Sequence, residues 1–279
     1  MFEKIVVPLD CSKLAEEALP YAEELGAKMG SDIILLTITE SEDARELQNY
    51  CGYITKIKEA TKGYIEKYIE NERGEATQVV IATRTGNPAE GIMEYTRMSS
   101  FPLIVMASHG RSGMGRWAVG SVADKVVRSG NLQPVMLIRA KDSHSDIRVK
   151  RLLKKALVPL DGSFRSEAVI PYISNIAFKL EMELTLLQVV PETNHSETDA
   201  ESYLQSVCRK IEDIANVTVN YKVGVGSAAE SIIDLADELI VDLVAMSTRG
   251  MNRNNPLSLG SVAQKVFLGG NTPLLLIKK

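Results

Sequence analysis

Residues 120–127 read GSVADKVV and residues 260–267 read GSVAQKVF. Residues 7–10 and 158–161 both read VPLD. A chain that says the same thing twice must build the same folding unit twice, and whatever both copies keep can be read twice. Asp10 and Asp161 stand 151 residues apart, as do Pro20-Tyr21 and Pro171-Tyr172. Gly110 and Gly250, like Gly120 and Gly260, stand 140 apart. The first copy therefore carries 11 extra residues (151 − 140), located where residues 40–76 face residues 191–216. That stretch reads as charged helix and loop, where insertions cost little.

A length of 279 residues fits two domains. The boundaries expected are 1–140 for the first, 141–153 for a polar and then basic linker (KDSHSDIRVKRLL), and 154–279 for the second. Apolar residues make 45 % of the chain, enough for two ordinary cores. No apolar run approaches the roughly 18 residues of a membrane span. MFEKIVVPLD lacks the order of a signal peptide, so the expected location is the cytoplasm. A net charge of −4 argues against a nucleic-acid surface. Cys11, Cys51 and Cys208 lack CxxC spacing, and His109, His144 and His195 fall in no metal-ligand pattern.

Residues 4–9 (KIVVPL) are apolar and rich in β-branched residues, the signature of a buried strand. Ser12 is a favoured cap for a helix running to about Met29, with Leu14, Ala15, Ala18, Leu19, Ala22 and Leu25 at helical spacing. Further strands are expected over 32–38, 77–83, 102–107 and 134–139, with helices over 43–71, 88–98 and 121–129. The second copy repeats the order, with strands near 155–160, 184–190, 217–223, 241–247 and 273–278. Strands alternating with helices predict an α/β fold of two tandem, doubly wound, five-stranded parallel sheets, Rossmann-like, with helices on both faces.

Ligands of such sheets sit beyond the carboxyl ends of the strands. Those ends carry Asp10, Ile38, Gly86 and the loop 107–121, ASHGRSGMGRWAVGS. Glycines let backbone N–H groups approach an anion, and Gly120-Ser121 opens a helix whose free N–H groups favour phosphate. Asp10 is placed to accept hydrogen bonds from a ribose, and Ile38 to offer an apolar wall.

These residues resemble the universal stress protein family, whose nucleotide-binding members carry G-x2-G-x9-G-[S/T] after the fourth strand and an Asp after the first. The pattern stands here as Ala107-x2-Gly110-x9-Gly120-Ser121 and Ser247-x2-Gly250-x9-Gly260-Ser261, with a small residue replacing the first glycine in both. GSVADKVV, VPLD and Gly86-Asn87-Pro88-Ala89-Glu90 are also similar to that family. The resemblance implies ATP or AMP, with or without Mg, as the ligand. It implies that Asp10 and Asp161 hold ribose and that Ile38 and Val189 contact adenine. It implies that Gly110, Gly120 and Ser121, with Gly250, Gly260 and Ser261, cradle phosphates. Arg111, Gly113, Pro8 and Val122 in the first copy, and Pro159 and Val262 in the second, complete the expected sites. It further implies internal pairing of strands 134–139 and 273–278, with a homodimer as an added assembly, and a stress-response sensor that signals to a protein partner still to be identified.

Other readings stand beside these. Asp10 competes with Ser12 as the helix cap. His109 reads as a loop residue rather than a catalyst, because Arg249 occupies its place in the second copy. Gly224-x-Gly226-x-x-Ala229 imitates a dinucleotide fingerprint but follows a third strand. A slow ATP hydrolase or self-phosphorylating protein, and a nucleotide-free tandem scaffold, are the alternative functions.

Overall fold

A computed structural model describes residues 1–40, 44–68, 77–109, 119–129, 133–139, 151–193, 197–248 and 259–278. It divides into two compact units, Met1–Leu152 and Leu153–Lys279. Residues 141–150 of the expected linker lie outside the described residues.

In the first unit the elements run β1 (Lys4–Pro8), α1 (Lys13–Glu16), α2 (Leu19–Met29), β2 (Asp32–Thr39), α3 (Ala44–Tyr68), β3 (Val79–Thr85), α4 (Pro88–Arg97), β4 (Pro102–Ala107), α5 (Ser121–Arg128) and β5 (Val135–Ile138). Its strands lie in the order β3-β2-β1-β4-β5, paired in parallel throughout. The second unit runs β6 (Lys155–Pro159), a 3₁₀ turn (Ser166–Val169), α6 (Ile170–Leu180), β7 (Glu183–Val190), α7 (Glu197–Ala215), β8 (Val219–Val225), α8 (Ala228–Glu238), β9 (Leu243–Ser247), α9 (Ser261–Gly269) and β10 (Leu274–Ile277). Its order is β10-β9-β6-β7-β8, again parallel. In both units the strand order reverses beside the first strand, which opens a crevice at the carboxyl ends of that strand and the one paired to it.

The central strands are mostly apolar because helices cover both faces. Val6, Val7, Leu103, Ile104 and Val105 are fully buried in the first unit, as are Leu157, Val158 and Leu243 in the second.

Two local departures from the sequence reading have physical causes. The helix expected from Ser12 to Met29 is two helices, α1 and α2, separated around Glu17 and Ala18. Pro20 has no N–H to continue the first helix, and it sits instead in the first turn of α2, where a missing donor costs nothing. Pro171 does the same in α6, and there the first piece tightens to a 3₁₀ turn. The third strands start two residues later than expected, at Val79 and Val219. The insertion can also be placed. Tyr53 and Tyr203 accept equivalent positions 150 residues apart, whereas Val79 and Val219 are 140 apart. Nearly all the extra chain therefore lies after Tyr53, toward the end of α3 and the residues that follow it.

Just after the aspartate that follows each unit's first strand the chain takes a left-handed step, at Cys11 (φ 66°) in the first unit and at Gly162 (φ 78°) in the second. That region costs a residue with a Cβ roughly 1–2 kcal/mol. Cys11→Gly should therefore stabilise the first unit by about 1 kcal/mol, and Gly162→Ala should destabilise the second by a similar amount. Chemical denaturation of the two variants checks the opposite signs.

Candidate functional site

Asp10 does not cap a helix. Ser12 does: its Oγ accepts the Ala15 N–H at 3.1 Å. Asp10 Oδ1 instead accepts from the Ser12 N–H at 3.0 Å and from the Ser12 hydroxyl at 2.6 Å. The second unit repeats this bond for bond. Asp161 Oδ1 accepts the Ser163 N–H at 3.0 Å and its hydroxyl at 2.6 Å, and Ser163 Oγ accepts the Ser166 N–H at 3.1 Å. The turn orients each aspartate at the mouth of the crevice. A carboxylate presents about four acceptor positions, so Ser12 and Ser163 by themselves do not exhaust it.

The loop after the fourth strand closes at its base in the same manner twice. Ser108 N donates to Ile138 O and Gly120 N to Ser108 O, both at 2.8 Å. Thr248 N donates to Ile277 O at 2.8 Å, and Gly260 N to Thr248 O at 2.7 Å. Gly120 and Gly260 are the N-caps of α5 and α9, extended in backbone and giving no side-chain cap. The first intrahelical bonds come from Asp124 N to Gly120 O and from Gln264 N to Gly260 O. The N–H groups of Ser121, Val122 and Ala123, and of Ser261, Val262 and Ala263, thus precede those bonds and have no partner within their helices.

These parts converge on one cavity in each unit. The first, about 350 Å³, is lined by Pro8, Leu9, Asp10, Ala15, Leu36, Ile38, Glu40, Tyr50, Pro88, Ile92, Met106, Ala107, Ser108, His109, Gly120, Ser121, Val122 and Ala123. The second, about 670 Å³, is lined by Pro159, Leu160, Asp161, Ser166, Leu187, Val189, Pro191, Ala228, Ile232, Met246, Ser247, Thr248, Gly260, Ser261, Val262 and Ala263. Of the residues expected from sequence, Pro8, Asp10, Ile38, Ala107, Gly120, Ser121 and Val122 share the first cavity. Pro159, Asp161, Val189, Ser247, Gly260, Ser261 and Val262 share the second. Gly110, Arg111, Gly113 and Gly250 lie outside the described residues.

Each cavity has a carboxylate and an apolar wall on the first- and second-strand side, and the first N–H groups of a helix on the other. Behind Ile38, Gly91 of α4 makes room: a Cβ there would stand 2.8 Å from Ile38 Cδ1. The apparent dinucleotide fingerprint at Gly224–Ala229 runs from the end of β8 into α8 through a turn at Gly226, whose φ of 112° matches the 130° of Gly86. Sequence reasoning missed Tyr50, Ile92 and Met106, which reach the first cavity from three different elements. Glu40 of the first cavity is replaced by Pro191 in the second.

His109 lines the first cavity, with Nδ1 3.0 Å from Ser108 Oγ and a buried Nε2 that has no hydrogen-bond partner among the described residues. Burial first, and then the positive charge of Arg139, lower its pKa below the ordinary histidine value. A histidine kept neutral in the fold is protonated first in the unfolded chain. Its contribution is therefore intact above about pH 6.5 and is lost as pH falls through that value. Denaturation at pH 7.5 and 5.5 should show an acid loss of stability that His109→Asn reduces. Among the described residues no three His, Cys, Asp or Glu side chains gather to hold a metal, and no helix is long and apolar enough to cross a membrane.

Comparison with known proteins agrees with this architecture. Along its whole length the chain is similar to universal stress protein Slr1230 of Synechocystis, at 21 % identity over 300 aligned positions covering 99 % of this chain and all of that one. Half of it is similar to universal stress protein MJ0577 of Methanocaldococcus jannaschii, at 23 % identity covering 51 % of this chain and 98 % of the relative. The crystal structure of a universal stress protein from Archaeoglobus fulgidus superimposes with a TM-score of 0.68 at 20 % identity, covering 99 % of this chain and 98 % of that one. The model of the universal stress protein family matches twice, over residues 1–139 and 153–278. With that match spanning nearly all of both units, the chain belongs to the universal stress protein family, as a tandem member carrying the domain twice.

Proposed function

We propose that each unit binds an adenine nucleotide, ATP or AMP, and that occupancy of these sites is what the protein senses in a stress response. The observation that carries this reading is the pairing, in both cavities, of an oriented carboxylate with three helix N–H groups that have no partner within their own helix. A nucleotide is a molecule that needs both: hydroxyls that donate at one end and a polyanion at the other. In this reading Asp10 and Asp161 accept from the ribose. The base lies along Ile38 in one unit and Val189 in the other. The phosphates take the N–H groups opening α5 and α9, where the helix dipole adds to the hydrogen bonds. Ser121 and Ser261 add hydroxyl donors.

Magnesium fits this arrangement as a companion of the nucleotide, held mainly by phosphate oxygens. Of the carboxylates lining the first cavity, Asp10 is tied to Ser12 and Glu40 is exposed.

Two measurements test the proposal. Ligand released from the purified protein by heat should be identified by mass spectrometry as an adenylate. In parallel, adding nucleotide to stripped protein at 100 times its dissociation constant should stabilise by about 2.7 kcal/mol. Protein that carries no adenylate and shows no stabilisation with millimolar ATP or AMP would overturn it.

A further inference from the structure

Both units hold a hydrogen-bond chain that starts at the cavity aspartate and ends on the long helix, α3 or α7, of the same unit. In the first unit Asp10 accepts from Ser12, and Ser12 caps α1. Glu16 sits in that same short helix, and its Oε1 accepts the hydroxyl of Tyr53 from α3 at 3.2 Å. In the second unit Asp161 accepts from Ser163, and the Ser166 hydroxyl donates to Ser163 O at 2.8 Å while accepting the Asp161 N–H at 3.2 Å. Glu167 Oε1 there accepts the hydroxyl of Tyr203 from α7 at 3.0 Å.

The pairing persists where its surroundings differ. Cys11 in one unit is Gly162 in the other, and Lys13, which binds Glu16 at 2.9 Å, is replaced by Phe164. The helices that carry the two tyrosines differ in length, at 25 and 19 residues. Both tyrosines are half-buried. Burial first, and then the facing glutamate, hold each hydroxyl protonated well above the ordinary tyrosine range, so each acts as a donor.

α1 is a helix of four residues and the matching piece of the second unit is a 3₁₀ turn of four. Neither is long enough to be stable by itself, so the turn that aims the aspartate needs a fixed point outside its own segment. We propose that Tyr53 and Tyr203 are positioning residues: anchored on α3 and α7, they hold the Glu16 and Glu167 turns and thereby keep Asp10 and Asp161 aimed at the ribose. This rests on the nucleotide reading above. It adds a link between each binding site and the long helix, α3 or α7, of its unit.

The test uses the full chain in an Asp161→Ala background, so that the first site is read alone. Titrations with ATP and with 2′,3′-dideoxy-ATP are compared for Tyr53, Tyr53→Phe, Glu16→Ala and Glu16→Gln. Tyr53→Phe and Glu16→Ala should weaken ATP about fivefold, the scale of one lost hydrogen bond, and leave dideoxy-ATP within about twofold, because that ligand gives the aspartate nothing to hold. Glu16→Gln, which keeps an acceptor at Oε1, should restore most of the ATP affinity. Equal weakening of both ligands, or of neither, overturns the positioning role. If the parent protein binds ATP but does not prefer it to the dideoxy compound, the ribose contact fails and the positioning role with it. If the parent binds neither ligand, the nucleotide reading itself falls.

Discussion

Replacing Asp10 and Asp161 together with alanine is expected to weaken ATP or AMP binding by roughly 10- to 100-fold. A hydrogen bond to a charged group contributes about 1.5–3 kcal/mol, and each 1.4 kcal/mol is tenfold in affinity. The aspartates also brace their own turns, because Oδ1 of each accepts two bonds from the following serine. Asparagine separates the two roles. Asp10→Asn keeps an Oδ1 acceptor for Ser12 but removes the charge. It should hold the melting temperature near that of the parent while still losing much of the affinity. Calorimetric titration measures the affinity and circular dichroism the melting. An alanine pair that binds adenylates as tightly as the parent would remove the aspartates from the site.

Phe267→Ala should be the most damaging single change in the second unit. Phe267 is fully buried on α9, and Val127 occupies the equivalent place on α5. Removing a buried phenylalanine costs about 3–5 kcal/mol through lost transfer energy and a residual cavity. Against a domain stability of about 5–15 kcal/mol, that is enough to unfold the unit at modest temperature. Scanning calorimetry should show the second unit melting early while the first keeps its transition. Because α9 supplies the N–H groups of Ser261, Val262 and Ala263, the second cavity should lose ligand binding in step. Val127→Ala removes less volume and should cost less. A single unshifted transition in Phe267→Ala would contradict this account of the core.

The repeat makes most of this fold legible in the sequence. Asp10 and Asp161, and Gly120-Ser121 and Gly260-Ser261, stand out because both copies keep them, and the fold brings each set into one cavity. Hydrophobic runs located the inner strands, since a strand buried on both faces is nearly all apolar. β3 and β8, by contrast, carry exposed polar residues such as Arg84 and Lys222, and they start two residues later than their sequence pattern suggests. What local patterns did not reveal was long-range. Tyr50, Ile92 and Met106 reach the first cavity from α3, α4 and β4, and nothing in their own neighbourhoods marks which face they share. Tyr53 meets Glu16 across 37 residues. Its signal was nevertheless present, because Tyr203 and Glu167 stand in the matching places of the second copy. The split between α1 and α2 was also readable in principle: Pro20 belongs in a first turn, and a helix drawn straight through it ignores the missing donor.

The central claim is that backbone amides at two helix starts, each facing an aspartate, hold an adenylate. Isothermal titration of nucleotide-stripped protein with ATP, beside inorganic triphosphate as a control, tests it most directly. The account predicts saturable heat with ATP that far exceeds the control, and a weaker response once Asp10 and Asp161 are both alanine. No heat at millimolar ATP, or identical curves for ATP and triphosphate, would contradict it.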